Sequence, residues 1–104
     1  MPKPVIPRTA ATQDAQQAID HYLGEGAGKA ASGFVDALQR AYRHLGDHPQ
    51  SGSPRYAHAL EIPELRSWPL QGHPYVVFYV EREDHVDVWR VLHAARDLPA
   101  WLPE

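Results

Sequence analysis

The sequence predicts an α+β domain: an N-terminal helical hairpin packed on one face of an antiparallel sheet, in the order β-α-α-β-β-β. Three observations predict it. Two stretches in the first half repeat apolar residues at helical spacing. Apart from one short N-terminal segment, the β-branched and aromatic runs lie in the second half. The gaps between those runs are hairpin-length, so the strands pair antiparallel and leave the helices to one side. With 104 residues the chain reads as one domain over 1–104. Its 43% hydrophobic and 22% charged residues are the balance of a folding chain.

The elements follow in order. Residues 4–9 (Pro4-Val5-Ile6-Pro7-Arg8-Thr9) are extended and proline-flanked, and a strand lacking two donors belongs at a sheet edge. Thr9 and Thr12 are both candidate N-caps. Ala15, Ala18, Ile19, Tyr22 and Leu23 then form one helical stripe, which stops at Gly24-Glu25-Gly26-Ala27-Gly28. A second helix is expected from Lys29 to Leu45, with Phe34, Val35, Leu38, Ala41, Tyr42 and Leu45 on its apolar face. Arg43 and His44 fill its last turn, Gly46 has the place of a C′ residue, and Pro49 lies beyond.

His48 to Arg55 reads as a loop, and Ala59 to Leu65, interrupted by Pro63, is ambiguous. Leu65–Leu70 is a strand, Gln71-Gly72-His73 a turn, and Tyr75–Val80 a strand apolar on both faces, hence central. Glu81 to His85 is a charged turn and Val86–His93 the last strand. The tail, Asp97 to Glu104, is proline-broken but carries Leu98, Trp101 and Leu102 as anchors.

Composition excludes several function classes. Ten basic and 13 acidic residues give a net charge of −3, the wrong sign for strong nucleic-acid binding. Cysteine is absent, which removes disulfides, zinc fingers and thiol catalysis. No apolar run suits a membrane span or a signal peptide, so a cytoplasmic location is expected. The Gly24–Lys29 stretch superficially resembles a phosphate loop. Counting back from Gly28-Lys29, however, puts Leu23 where a glycine is needed and Ala30 where the magnesium-binding hydroxyl belongs. His44-x3-His48 has ligand spacing, but no third ligand converges on it. No metal and no cofactor is expected.

Two clusters remain. Arg66, Tyr75, Tyr79, Arg90, His93 and Arg96 are the residue types of a metal-free ribonuclease, in which one group takes the 2′-hydroxyl proton and arginines hold the phosphorane charge. The bland alternative has the tyrosines in the core and the arginines paired with Glu64, Glu81, Asp87 or Asp97. Strand parity puts Arg90 opposite to Trp89 and His93. Trp68, Tyr75, Phe78, Tyr79, Trp89 and Trp101 are a surplus of aromatics for a sheet with one uncovered face, and such a surplus suggests a partner groove.

These residues carry a resemblance. The chain resembles the RelE/ParE toxin superfamily of bacterial type II toxin–antitoxin systems, and its ParE branch more than its RelE branch. Ile6-Pro7-Arg8-Thr9-Ala10-Ala11 followed by Ala18-Ile19-Asp20-His21-Tyr22 matches the family's first strand and helix. Ala30 to Leu45 with His48-Pro49-x2-Gly52 matches its second helix and exit. Leu65-Arg66 with Trp68, then His73-Pro74-Tyr75-Val76-Val77-Phe78-Tyr79, matches the core strands. Arg90-Val91-Leu92-His93-Ala94-Ala95-Arg96-Asp97 matches the last strand.

The resemblance implies a small toxin neutralised by a ParD-like antitoxin of ribbon-helix-helix type, with DNA gyrase as the target and plasmid stabilisation as the setting. The RelE branch would imply instead an mRNA endoribonuclease using Arg66, His93 and Arg96. Lys3 and Lys29 are the only lysines, and the tail lacks the terminal His/Tyr or Arg/Tyr pair of many ribonuclease members. Both features favour the ParE branch. The residues expected to bind partners are Tyr42, Arg66, Trp68, Tyr75, Phe78, Arg90, Arg96 and Trp101. A groove is expected between the helical hairpin and Tyr75–Val80, with arginines at its rim and a sheet edge open to an extended partner segment.

Overall fold

The computed structural model describes residues 2–101; the last tail anchor, Leu102, lies outside them. The elements are β1 (Val5–Pro7), α1 (Thr9–Gly24), α2 (Gly28–Asp47), β2 (Leu65–Pro69), β3 (Tyr75–Glu81), β4 (Val86–His93) and a terminal turn of helix, α3 (Leu98–Trp101). The fold class and the order β-α-α-β-β-β are as the sequence predicts. The strands lie in the order β1-β4-β3-β2. β2–β3 and β3–β4 are antiparallel, but β1 runs parallel to β4, pairing Val5 with Val86 and Pro7 with Val88. The sheet is therefore mixed. The helical hairpin between β1 and β2 carries the chain to the far side of the sheet, which a tight turn could not do.

The two glycine-marked helix ends behave differently from one another. α1 closes in a Schellman motif: Ala27 N–H donates to Tyr22 C=O at 2.8 Å and Gly26 N–H to Leu23 C=O at 3.0 Å. Gly26 has φ +71°, the left-handed conformation that motif requires. The apparent phosphate loop is this cap. Gly46, by contrast, is not a C′ residue, because α2 runs on to Asp47. Gly46 is there because the N-terminal segment crosses the helix at this point. Lys3 N–H donates to Gly46 C=O at 2.9 Å, and a Cβ on Gly46 would meet Lys3 O at 2.8 Å. Neither Thr9 nor Thr12 is the N-cap of α1; extended Arg8 holds that position, and its carbonyl accepts the Thr12 N–H at 3.1 Å.

Two cores sandwich the sheet. On the helix side, Ala11 and Ala18 of α1 and Phe34, Ala37, Ala41 and Leu45 of α2 pack on Tyr75, Val77, Tyr79, Val86, Val88 and Val91. On the other side, Leu65, Phe78, Val80 and Leu92 are covered by Leu98 and by Tyr56, Ala57, Leu60, Ile62 and Trp101. The ambiguous stretch after the loop is thus not a strand. It is a run of turns that roofs the second face, closed by a Schellman-like pair in which Ile62 N–H donates to Ala57 C=O and Glu61 N–H to His58 C=O. The sheet face expected to stand open is largely occupied by the chain itself.

β4 carries a bulge. Tyr79 pairs with Val88 but Phe78 with Arg90, leaving Trp89 as an extra residue. Simple alternation fails beyond it, and Val91 rather than Arg90 continues the helix-side core.

Candidate partner-binding surface

Tyr75 and Phe78 are 2% and 0% exposed. Phe78 sits between Tyr56 and Trp101, at ring-centroid distances of 5.5 and 4.8 Å. Both are core residues and offer a partner no surface, which corrects the expectation placed on them. Tyr79 is likewise buried, and its hydroxyl donates to Pro49 C=O at 2.8 Å and accepts the Gly52 N–H at 2.9 Å.

The ribonuclease trio does not assemble. Arg66 stands opposite Tyr79 and His93 opposite Tyr75, on strands flanking β3. At standard strand spacings their Cα atoms are roughly 16 Å apart. The Arg66 guanidinium is turned to the loop after α2, donating to the carbonyls of Gly52 at 2.8 Å and Gln50 at 3.2 Å. His93 Nδ1 accepts backbone N–H groups from Arg96 at 3.0 Å and Ala95 at 3.2 Å, so a neutral His93 carries its proton on Nε2. Arg96 bonds Asp97 at 3.2 Å and the Tyr75 hydroxyl at 3.4 Å.

Among the remaining arginines, Arg8, Arg82 and Arg90 are paired, Arg90 with an acid the sequence did not suggest. Arg90 makes a bidentate pair with Asp14 of α1, at 2.7 and 2.8 Å, and Asp14 also accepts the Val91 N–H at 3.0 Å. Arg8 and Arg82 both bond Asp87, which takes a further bond from Trp89 Nε1 at 3.0 Å. Burial raises the Asp87 pKa, but the bonds from Arg8, Trp89 and Arg82 outweigh it and hold the carboxyl below its ordinary value. Asp97 behaves the same way: burial pushes it up, and the His93 N–H and Arg96 bring it down further.

The residues that do reach the surface divide among three grooves. Tyr42 lines one of about 640 Å³ between α2 and the N-terminal segment, with Pro2, Lys3, Val5, Arg43 and Asp47. Burial pushes the Tyr42 phenol up to about 12. Trp68 lines a groove of about 310 Å³ with Ala37, Arg40, Ala41, His44, Pro69 and Gln71, and its indole stacks on His44 at 4.5 Å. Arg90, Arg96 and Trp101 meet in a third groove of about 290 Å³, beside Asp14 and Leu92. His44 and His48 have ring centroids 5.2 Å apart, but no group of three potential metal ligands exists among the described residues. Sequence reasoning passed over Arg40 and weighed His44 only as a helix-end residue and a metal ligand. Their signal was the spacing Ala37, Arg40, Ala41, His44, one helical stripe beside the apolar one.

The three grooves are lined by apolar and charged side chains, and Arg66, His93 and Arg96 are hydrogen-bonded within a small α+β domain. A family model described as the ParE toxin of the type II toxin–antitoxin system parDE matches residues 5–98. The chain belongs to that family. Its fold is similar to a solved structure of the chromosomal ParDE toxin–antitoxin system from P. aeruginosa, with a TM-score of 0.72 and 18% identity, over 88% of this chain and 95% of that one. Comparison with curated proteins finds no match. Among the described residues no helix is long and apolar enough to cross a membrane.

Proposed function

We propose that the protein is a cytoplasmic toxin held inactive by a ParD-like antitoxin, and that it acts by binding and poisoning DNA gyrase rather than by cutting RNA. Membership of the ParE toxin family supports the toxin reading. The observation that favours the gyrase branch is the engagement of the three residues a ribonuclease would use. Arg66 is bound to loop carbonyls, His93 Nδ1 to two backbone amides and Arg96 to Asp97, and the strand register keeps Arg66 away from the other two. A net charge of −3 also disfavours gripping an RNA backbone.

The test is purified toxin against gyrase in a supercoiling reaction, with mRNA cleavage mapped by primer extension after induction. Loss of supercoiling that added antitoxin restores, with intact mRNA, is the expected result. Discrete cuts in mRNA with unaffected gyrase would overturn it in favour of the endoribonuclease.

A further inference from the structure

We propose that Ser51 is a nucleophilic serine with His44 as its base, and that it accepts an acyl group from an activated, uncharged ester or thioester and keeps it. Of the four serines, Ser32, Ser51, Ser53 and Ser67, Ser51 alone has an imidazole within hydrogen-bond distance among the described residues. His44 Nε2 and Ser51 Oγ are 3.0 Å apart, and Ser51 is exposed. A hydroxyl within reach of a base that a third group orients is the arrangement of an activated nucleophile. The third group here is Trp68, whose indole stacks on the His44 ring at 4.5 Å with 24° between the planes.

The loop holds the pair in place. The Tyr79 hydroxyl fixes Pro49 C=O and the Gly52 N–H, and Arg66 Nη1 donates to Gln50 C=O and Gly52 C=O. Ser51 therefore sits on a clamped backbone facing the last turn of α2. Its hydroxyl has one proton and two acceptors for it, His48 C=O at 2.7 Å and His44 Nε2. Rotation about the Cβ–Oγ bond turns the proton from the first to the second. Attack forms a bond from Oγ to the acyl carbon and breaks the ester or thioester bond. The Oγ proton passes through His44 Nε2 to the departing alcohol or thiol.

The surroundings set the group and its fate. Asp47 and Glu81 line the groove beside Ser51, and carboxylates there repel a phosphorylated donor but not an uncharged acyl carbon. The nearby amides that could hold an oxyanion are taken: Ser51 N–H by His48 C=O, Gly52 N–H by the Tyr79 hydroxyl and Ser53 N–H by Ser67 C=O. Without their help the donor must itself be activated, and the Ser51 ester, once formed, is not hydrolysed quickly. The pair is an acceptor that reacts once rather than an esterase.

The test treats the full chain with p-nitrophenyl acetate, follows p-nitrophenolate release and locates the acetyl group by peptide mass spectrometry. A single stoichiometric burst with acetyl on Ser51 is the expected result. His44→Gln should slow labelling of Ser51 by about tenfold or more, Ser51→Ala should remove the burst, and Ser53→Ala should leave it unchanged. Circular dichroism checks that each variant folds. The unaltered chain supplies a measurement that needs no variant: labelling of Ser51 should collapse in denaturing urea, where the imidazole is no longer held beside it. Acetyl only on Lys3, Lys29 or a histidine overturns the proposal, as does a Ser51 rate unchanged by urea or by His44→Gln in a folded chain. Release that continues past the burst overturns the acceptor in favour of a hydrolase.

Discussion

The Tyr79 hydroxyl and the Gly52 amide, 27 residues apart, are joined by a buried hydrogen bond of 2.9 Å, and the same hydroxyl donates to Pro49 at 2.8 Å. One phenol thus shapes the exit from α2. Tyr79→Phe leaves an N–H and a C=O without their partner, which should cost about 1–3 kcal/mol. Denaturant unfolding should show a lower midpoint with unchanged slope. Gly52→Ala should be at least as harmful, because its Cβ would overlap the ring, with Tyr79 Cε1 at 2.8 Å.

Two helical glycines should respond oppositely to alanine. At Gly24 an added Cβ meets nothing within 4 Å, so the substitution should stabilise by up to about 1 kcal/mol through helix propensity. At Gly46 the same methyl would press on Lys3 O, and overpacking against backbone should cost about 1–3 kcal/mol. Paired thermal melts check the sign of each.

Glu61 has φ +56° where the turn closing Tyr56–Ile62 wants a glycine. Relief of that strain, less the added freedom of the unfolded chain, should make Glu61→Gly more stable by about 0.5–1 kcal/mol. A melting temperature that falls would show that the Glu61 side chain contributes more than its backbone costs.

Alkaline stability should depend on Tyr42. Its folded-state pKa, about 12, lies above the unfolded value near 10. The resulting stability is fully present below pH about 10 and is lost as pH rises toward 12, amounting to about 2 kcal/mol. Tyr42→Phe, which removes no hydrogen bond among the described residues, should flatten that part of the pH–stability curve.

Acid stability should depend on Asp87. Its folded-state pKa is lowered, so its contribution is present above the unfolded carboxyl value near 3.9 and is lost as pH falls through the folded one. Asp87→Asn should cost about 2–3 kcal/mol at neutral pH, since two arginines lose their anion. It should also reduce the acid sensitivity seen in urea titrations across pH 2–5.

The helices were legible because period 3.6 was unbroken in those stretches, and the three later strands because runs of β-branched and aromatic residues stood between turn signals. Three features were not. The parallel pairing of β1 with β4 is a long-range choice that no local pattern carries. The bulge at Trp89 displaces every later residue of β4 by one, so the parity argument that set Arg90 opposite Trp89 could not hold, while Arg90 and His93, both beyond it, do lie on opposite faces. Gly46 looked like a helix stop because a close backbone approach and a C′ position both favour glycine. For the candidate site, residue types identified Trp68, Arg90, Arg96 and Trp101 as surface-reaching. They could not separate buried Phe78 and Tyr75 from them: the roof over Phe78 comes from turns lacking periodicity, and Tyr75 is buried on the opposite face against Phe34 of α2.

β1 covers only Val86 to Val88 of β4. Past that point the outward-facing amides of Val91 and His93 are taken by the carboxylates of Asp14 and Asp97. Pro4 precedes β1 and Pro7 ends it, and Ser53 holds Ser67 of β2. These side chains and prolines deprive neighbouring molecules of places to continue the ladder. A molecule stripped of its antitoxin should accordingly stay dispersed rather than join others edge to edge, and so remain available to diffuse to whatever it poisons.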